Sequence, residues 1–281
     1  MKILVTGAKG MLGTDLCALF RVNNIEVVEW DLPGNDITDV KRTVSQTKRL
    51  APDRIVHLAA YTDVDGCEIA KAKAYSVNVQ GTWAVVLGAK DANIPLLHLS
   101  TDYVFDGEKG SPYLEDDATN PINYYGLTKV QSEQIVRSKL EKFFIVRTSW
   151  LFGKHGKNFV ATILNIAKEK ETLEVVNDQI GSPTFTVDLA QAVHKLILSN
   201  FFGIYHITNS GVCSWFEFAG EIIKQAGLMN KVIPITSDQL KRAAKRPKLS
   251  TLNNYNYIKT FGEFLRPWRE ALNQYLQSLN K

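Results

Sequence analysis

The apolar positions of this chain fall into short runs separated by stretches with helical spacing. Lys2–Val5 is a short β-branched run leading into Thr6-Gly7-Ala8-Lys9-Gly10-Met11-Leu12-Gly13. Beyond it, Leu12, Leu16, Leu19 and Phe20 share one side of a segment whose other side carries Asp15. That pattern predicts a strand, a turn and a helix over Met11–Phe20. Ile25–Trp30 reads as the second strand. Asp36-Ile37-Thr38-Asp39 opens a helix through Lys48, with Thr38 or Asp39 as its cap. Pro52–Ala60 predicts the third strand, and a helix carrying Asn78 follows it. Ile94–Leu99 reads as a buried strand, and Val130–Leu140, free of Gly and Pro, as a helix that Tyr125–Lys129 begins. Such alternation through residue 150 implies right-handed βαβ units and a parallel sheet.

After Arg147-Thr148-Ser149-Trp150-Leu151-Phe152-Gly153 the character changes. Asn158–Lys168 is amphipathic, Asn177–Thr184 is a turn-rich connector, and Val187–Leu198 reads as a helix. Tyr205–Thr208 is a short strand, and Ser214-Trp215-Phe216-Glu217 is a capping box opening a helix that Gly227 closes. Lys241–Lys248 is the one basic cluster, read as a solvated helix end. Within it Arg246 precedes a proline and so leaves the helix with its fork free to meet a diphosphate.

Composition narrows the function classes. At 281 residues, 45% hydrophobic and 22% charged, the chain has the make-up of an ordinary globular protein with a substantial core. Its net charge of +4 is mild and its Lys and Arg residues are spread out, which argues against nucleic acid as a partner. No apolar run approaches the about 18 residues of a membrane span. Cys17, Cys67 and Cys213 are far apart and outside any metal spacing, so they read as reduced thiols. With a strand-like opening and no leader before it, the expected location is cytoplasmic.

Glycines at 7, 10 and 13, between a strand and a helix, are what a dinucleotide requires. Gly7 permits the sharp turn, Gly10 lets the backbone approach a pyrophosphate, and Gly13 lets helix pack on strand. The pyrophosphate then meets the free N–H groups of the helix N-terminus. Asp31 ends the second strand about 20 residues on, placed to accept from ribose hydroxyls. A carboxylate there favours NAD by repelling a 2′-phosphate, while Lys9 and Arg21 keep NADP open. Ala59 and Ala60, small residues ending the third strand, let a flat ring or ribose lie against backbone.

Ser100 and Thr101 sit where the strand before them ends, and Tyr125 and Lys129 are one helical turn apart on one face. A free phenol ionises near ~10. An ammonium beside it is expected to bring it closer to working range. With the Thr101 or Ser100 hydroxyl on the same substrate oxygen, the set can exchange a proton with an alcohol or ketone. His57 and His98, inside apolar strands, read as hydrogen-bonded core histidines.

Thr6-Gly-x-x-Gly-x-x-Gly13, Asn78 and Tyr125-x-x-x-Lys129 together resemble the extended short-chain dehydrogenases/reductases. More specific stretches resemble the dTDP-4-dehydrorhamnose reductase (RmlD) branch, and the likeness covers nearly the whole chain. They are Ala59–Asp65, Ser100-Thr-Asp-Tyr-Val-Phe105, Tyr125-Gly-x-Thr-Lys129, Arg147-Thr-Ser-Trp150, Asp178-Gln-x-Gly-x-Pro-Thr184 and Arg246-Pro247. The resemblance implies reduction of the 4-keto group of a dTDP-6-deoxy-L-hexulose to dTDP-L-rhamnose, with hydride from NADPH or NADH. It makes Tyr125 the proton donor, Lys129 the group that tunes it and grips the nicotinamide ribose, and Thr101 the residue orienting the carbonyl. Asp102 and Trp150 match positions that contact the sugar nucleotide. Gly10, Met11, Leu12, Asp31, Asp36, Ile37, Ala59, Ala60, Tyr61 and Leu99 match positions lining the dinucleotide. Asn78 matches the asparagine that supports the catalytic lysine through backbone and water.

The implied fold is α/β: a Rossmann-type doubly wound parallel sheet over about residues 1–150, with a smaller α/β substrate lobe mainly from 151–281. The boundary is crude because the chain can cross back, and substrate is expected in the cleft between the two. Homodimers are common in the superfamily. No His/Cys/Asp cluster suggests a metal, although acidic residues at a dimer contact could recruit Mg²⁺. Three rivals share the likeness. A dehydratase carries Asp-Glu after the threonine, and here Tyr103 follows Asp102. An epimerase is opposed by the branch-specific stretches. A non-catalytic NADP-binding subunit, like the β subunit of methionine adenosyltransferase, is opposed by intact Thr101, Tyr125 and Lys129.

Overall fold

A computed structural model describes residues 1–279. Its central layer is a six-stranded sheet, all parallel. Five strands come from the first 148 residues: β1 (Lys2–Thr6), β2 (Glu26–Trp30), β3 (Arg54–His57), β4 (Leu96–Thr101) and β5 (Phe143–Thr148). The order runs β2-β1-β3-β4-β5, and Gly203–His206 then adds a parallel edge to β5. The last strand and the helix Thr186–Ile197 belong to this layer although they lie beyond residue 150.

Both faces of the sheet are covered, which is why its central strands read as continuous apolar runs. On one face Ile3, Val5, Val56 and Val146 pack against Leu12, Leu16 and Phe20 of helix α1 (Met11–Val22) and Leu189, Val193 and Leu196 of Thr186–Ile197. On the other, Leu4, Ile55, Leu96 and Ile145 meet Val85, Val86 and Val136 from the helices Thr82–Asp91 and Tyr124–Lys139. Helix α2 (Val40–Leu50) is capped by Asp39, whose carboxylate accepts from the Arg42 amide. Ser76–Gly81, where Asn78 lies, is a π-helical turn. Turns of this kind are rare and tend to occur at functional positions.

The strand order reverses between β1 and β3, so the carboxyl ends of β1, β3 and β4 open onto one crevice. Above it sits a second core built on Phe152, Phe185, Phe218, Trp268 and Tyr275. Thr172–Val176 and Lys231–Ile235 form its parallel strand pair. The Ser214 capping box is formed: its hydroxyl accepts from the Glu217 amide at 3.1 Å and Glu217 accepts from the Ser214 amide at 2.7 Å. Gly227, at φ 68°, ends that helix as expected. The basic segment differs from expectation, since the helix there is only Ser237–Leu240 and residues 241–248 are irregular. No helix among the described residues is long and apolar enough to cross a membrane.

Candidate active site

The glycine turn is packed to the limit. Gly7 has φ 69°, and a Cβ on it would lie 2.7 Å from the Ala59 nitrogen. A Cβ on Gly13 would lie 2.2 Å from the Gly7 carbonyl oxygen and 2.8 Å from the Ala8 Cα. Backbone therefore touches backbone where β1 passes into α1. Gly10 is the N-cap of α1 and offers no side chain to the first-turn amides. These amides face a cavity of about 960 Å³ lined by Gly7, Gly10, Met11, Leu12 and Gly13. A pyrophosphate fits this cradle chemically, because unpartnered N–H groups and the positive helix end meet at one place.

The same cavity continues past Asp31, Asp36, Ile37, Ala59 and Ala60 to Leu99, Thr101, Asp102, Tyr125, Lys129 and Trp150. Asp31 does not wait free for a ribose. Its Oδ2 accepts from the Lys9 amide at 2.7 Å and its Oδ1 from the Leu32 amide at 2.8 Å, so it also ties down the glycine turn. Asp36 Oδ1 accepts from the Thr38 amide and hydroxyl ahead of α2. Two expected residues stand behind the wall. Asn78 Oδ1 accepts from the Tyr61 amide at 2.7 Å, and its Nδ2 donates to Tyr61 O at 3.1 Å and Thr128 Oγ1 at 3.0 Å. Asn78 thus fixes the Tyr61 backbone and reaches the helix that carries Tyr125 and Lys129 through Thr128, the neighbour of Lys129.

Tyr125 and Lys129 begin the helix Tyr124–Lys139, whose cap Asn123 accepts from the Gly126 amide at 2.8 Å. The two side chains share one face and open onto the cavity beside Thr101 at the end of β4. Their electrostatics differ from the expectation of a phenol eased by its ammonium. Lys129 Nζ donates to Leu99 O at 2.7 Å and lies 3.2 Å from His98 Nε2, which turns it to the sheet. Burial pushes the Tyr125 phenol well above its ordinary value, the Asp102 charge adds to this, and the nearby Thr101 hydroxyl opposes it. Burial lowers Lys129 to about 8, with Glu133 opposing. Tyr125 is therefore a protonated phenol at neutral pH, suited to give a proton to an oxygen that gains charge.

A buried polar lattice holds these groups. Arg147 on β5 donates from Nε to Glu133 Oε1 at 3.0 Å and from Nη2 to Oε2 at 2.7 Å. Ser100 on β4 donates to the same carboxylate at 2.5 Å. Glu133 lies one turn after Lys129, so the pair fastens the helix Tyr124–Lys139 to two strands. His57 and His98 are buried and hydrogen-bonded at Thr6, Thr82 and Ser132, in keeping with a core role.

Trp150 adopts φ 47° and stacks on Trp215 at 3.4 Å between ring centroids and 7° between planes. Gly181 makes room for it, since a Cβ there would lie 2.5 Å from the indole. Arg246 departs from expectation. Its Nη1 and Nη2 donate to Asp65 at 3.2 and 2.8 Å, and Asp65 also accepts from the Ala244 amide and from Arg242. The fork is engaged by a carboxylate rather than free, and it does not line the cavity. Those cations hold Asp65 down at about 2 against the burial that would raise it. Thr148, Ser149 and Trp215 line the cavity without having been singled out from the sequence. Thr148 and Ser149 lie inside the Arg-Thr-Ser-Trp stretch, while the only local signal at Trp215 was the capping box. Among the described residues no group of three His, Cys, Asp or Glu is set to hold a metal.

Residues 1–281 match the family described as RmlD substrate binding domain. The Bacillus subtilis spore coat polysaccharide biosynthesis protein SpsK is 42% identical over 276 residues, 98% of this chain and 97% of its own. The dTDP-4-dehydrorhamnose reductase structure from Clostridium acetobutylicum has a TM-score of 0.97 at 40% identity, covering 100% of both chains. The structure of that name from Bacillus anthracis, in complex with NADP, has a TM-score of 0.95 at 38% identity over 99% of both. Further relatives named dTDP-4-dehydrorhamnose reductase are 33% to 39% identical.

Proposed function

Because this chain belongs to the RmlD substrate-binding-domain family, we propose that it reduces the 4-keto group of dTDP-4-dehydro-6-deoxy-L-mannose with NADPH or NADH, giving dTDP-L-rhamnose. The observation that carries this is one cavity shared by a side-chain-free glycine cradle and by the Thr101, Tyr125 and Lys129 groups. When bound, the reduced nicotinamide supplies the hydride. Tyr125 then gives its proton to the C4 oxygen as charge develops there, and Thr101 orients that oxygen. Donors fixed before the reaction carry much of such a rate. Lys129 keeps a positive charge next to the reacting pair and grips the nicotinamide ribose.

Asp102 and Trp150 contact the sugar nucleotide in this reading. Arg246 serves as a clasp on Asp65, not as a diphosphate ligand. Tyr103 in place of a second acid removes the dehydratase chemistry. The reading extends to a cytoplasmic homodimer, supported by three buried free cysteines and by the superfamily's habit; light scattering decides the assembly.

The experiment supplies dTDP-4-dehydro-6-deoxy-L-mannose with each reduced cofactor and identifies the product. One cofactor oxidised per dTDP-L-rhamnose formed is the expected result. Cofactor binding without oxidation overturns the reading in favour of a non-catalytic subunit.

A further inference from the structure

Asp102 opens the turn after β4, is 3% exposed and lines the cavity. Its Oδ1 accepts from the Thr101 hydroxyl at 2.9 Å, and Thr101 Oγ1 accepts from the Tyr103 amide at 3.2 Å. A hydroxyl has one proton to give. While Asp102 is ionised, that proton points at the carboxylate and Thr101 offers the cavity only lone pairs. A substrate carbonyl, itself an acceptor, gains nothing from such a partner. The other carboxyl oxygen, Oδ2, is buried and has no hydrogen-bond partner among the described residues.

We propose that Asp102 takes up one proton as the keto sugar enters, and so releases the Thr101 hydroxyl to donate to the reacting carbonyl oxygen. The proton comes from solvent and adds to Oδ2. The neutral carbonyl left at Oδ1 is a weaker acceptor than a carboxylate, so the Thr101 hydrogen turns to the substrate. No bond between heavy atoms changes, and the proton returns to solvent after product leaves. Besides the sugar-nucleotide contact proposed above, Asp102 acts on the reacting oxygen only through Thr101, and the inference rests on the reduction proposed above.

The surroundings favour uptake. Tyr125 faces Asp102 from the catalytic helix, Tyr103 from its own turn and Ser250 from the C-terminal segment. Arg246 faces the Tyr103 phenol and is paired with Asp65, and no cation donates to the Asp102 carboxyl among the described residues. Burial dominates and lifts the group to about 6, opposed by the nearby Ser250 hydroxyl and the Thr101 hydrogen bond.

The test follows kcat/KM for the keto sugar from pH 5.5 to 9 in the wild-type chain and in Asp102→Asn. Wild-type turnover stands for the reduction itself, so its absence sinks that reading and not this one. Above the carboxyl's pKa the wild-type value should fall about tenfold per pH unit. Asp102→Asn donates to Thr101 from its amide at every pH, so it should lose that limb and keep the one set by Lys129. An unchanged limb overturns the inference. Calorimetry of the keto sugar binding to the NADP⁺-loaded wild-type protein, in buffers of different ionisation enthalpy, needs no variant. Uptake of close to one proton per site at pH 7 is expected, and no uptake overturns the inference.

Discussion

Arg147 and Glu133 face each other with side chains 2% and 4% exposed. The guanidinium gives two hydrogen bonds to the carboxylate, one to Glu115 O at 3.2 Å, and lies over the Phe105 ring at 5.1 Å. Arg147→Met would leave the Glu133 carboxylate buried with one neutral donor, Ser100. Breaking a buried pair from one side costs about 3–5 kcal/mol, chiefly through the stranded charge. At about 2–4 °C per kcal/mol for a chain of this order, Tm should fall by roughly 6–20 °C. Arg147→Met with Glu133→Leu strands no charge and should recover at least half of the loss. Urea unfolding of both single variants and the double variant gives the coupling energy directly. Should Arg147→Met cost under about 1 kcal/mol, or the two losses simply add, the pair is not what binds the helix Tyr124–Lys139 to β4 and β5.

Tyr125→Phe should bind NADPH normally and lose roughly 10²–10⁴ in turnover; cofactor fluorescence and steady-state rates check both halves, and near-normal turnover refutes the role. Gly13→Ala places a Cβ 2.2 Å from backbone that has nowhere to move. It should cost about 1–3 kcal/mol of stability and weaken NADPH binding, read by thermal melts and titration. Lys129 is lowered from 10.5 to about 8, so from pH 8 to 10.5 the unfolded chain holds a proton that the folded chain has released. The burial penalty is full below pH 8 and fades as pH rises. Lys129→Met should therefore be more stable than wild type at pH 7, the gap narrowing from pH 8 and closing only above pH 10.5 in urea titrations.

Local pattern was enough for much of the site. The strand, glycine turn and helix at 2–22, the shared face of Tyr125 and Lys129, and the Ser214 cap are set by neighbours within a few residues. What eluded reading depends on partners far along the chain. Arg246 looked free because its preference for Asp65, 181 residues away, leaves no trace in spacing. Lys129 was expected to ease the Tyr125 phenol, but a carbonyl on β4 draws the ammonium aside. Asp31 had the position of a ribose acceptor, and only the folded turn brings the Lys9 and Leu32 amides onto it. Burial, which decides whether a phenol keeps its proton, is a property of the assembled crevice and of no segment alone.

Strand Gly203–His206 seals the open side of β5. On the ribosome, some fifty further residues must emerge after β5 before its hydrogen-bonding edge is covered. Until then the nascent sheet shows other chains a bare, apolar template, the hazard that exposed edges carry. A fragment cut after residue 150 keeps that template permanently, so the nucleotide cradle cannot be harvested as a free-standing module without a substitute for this late-arriving strand.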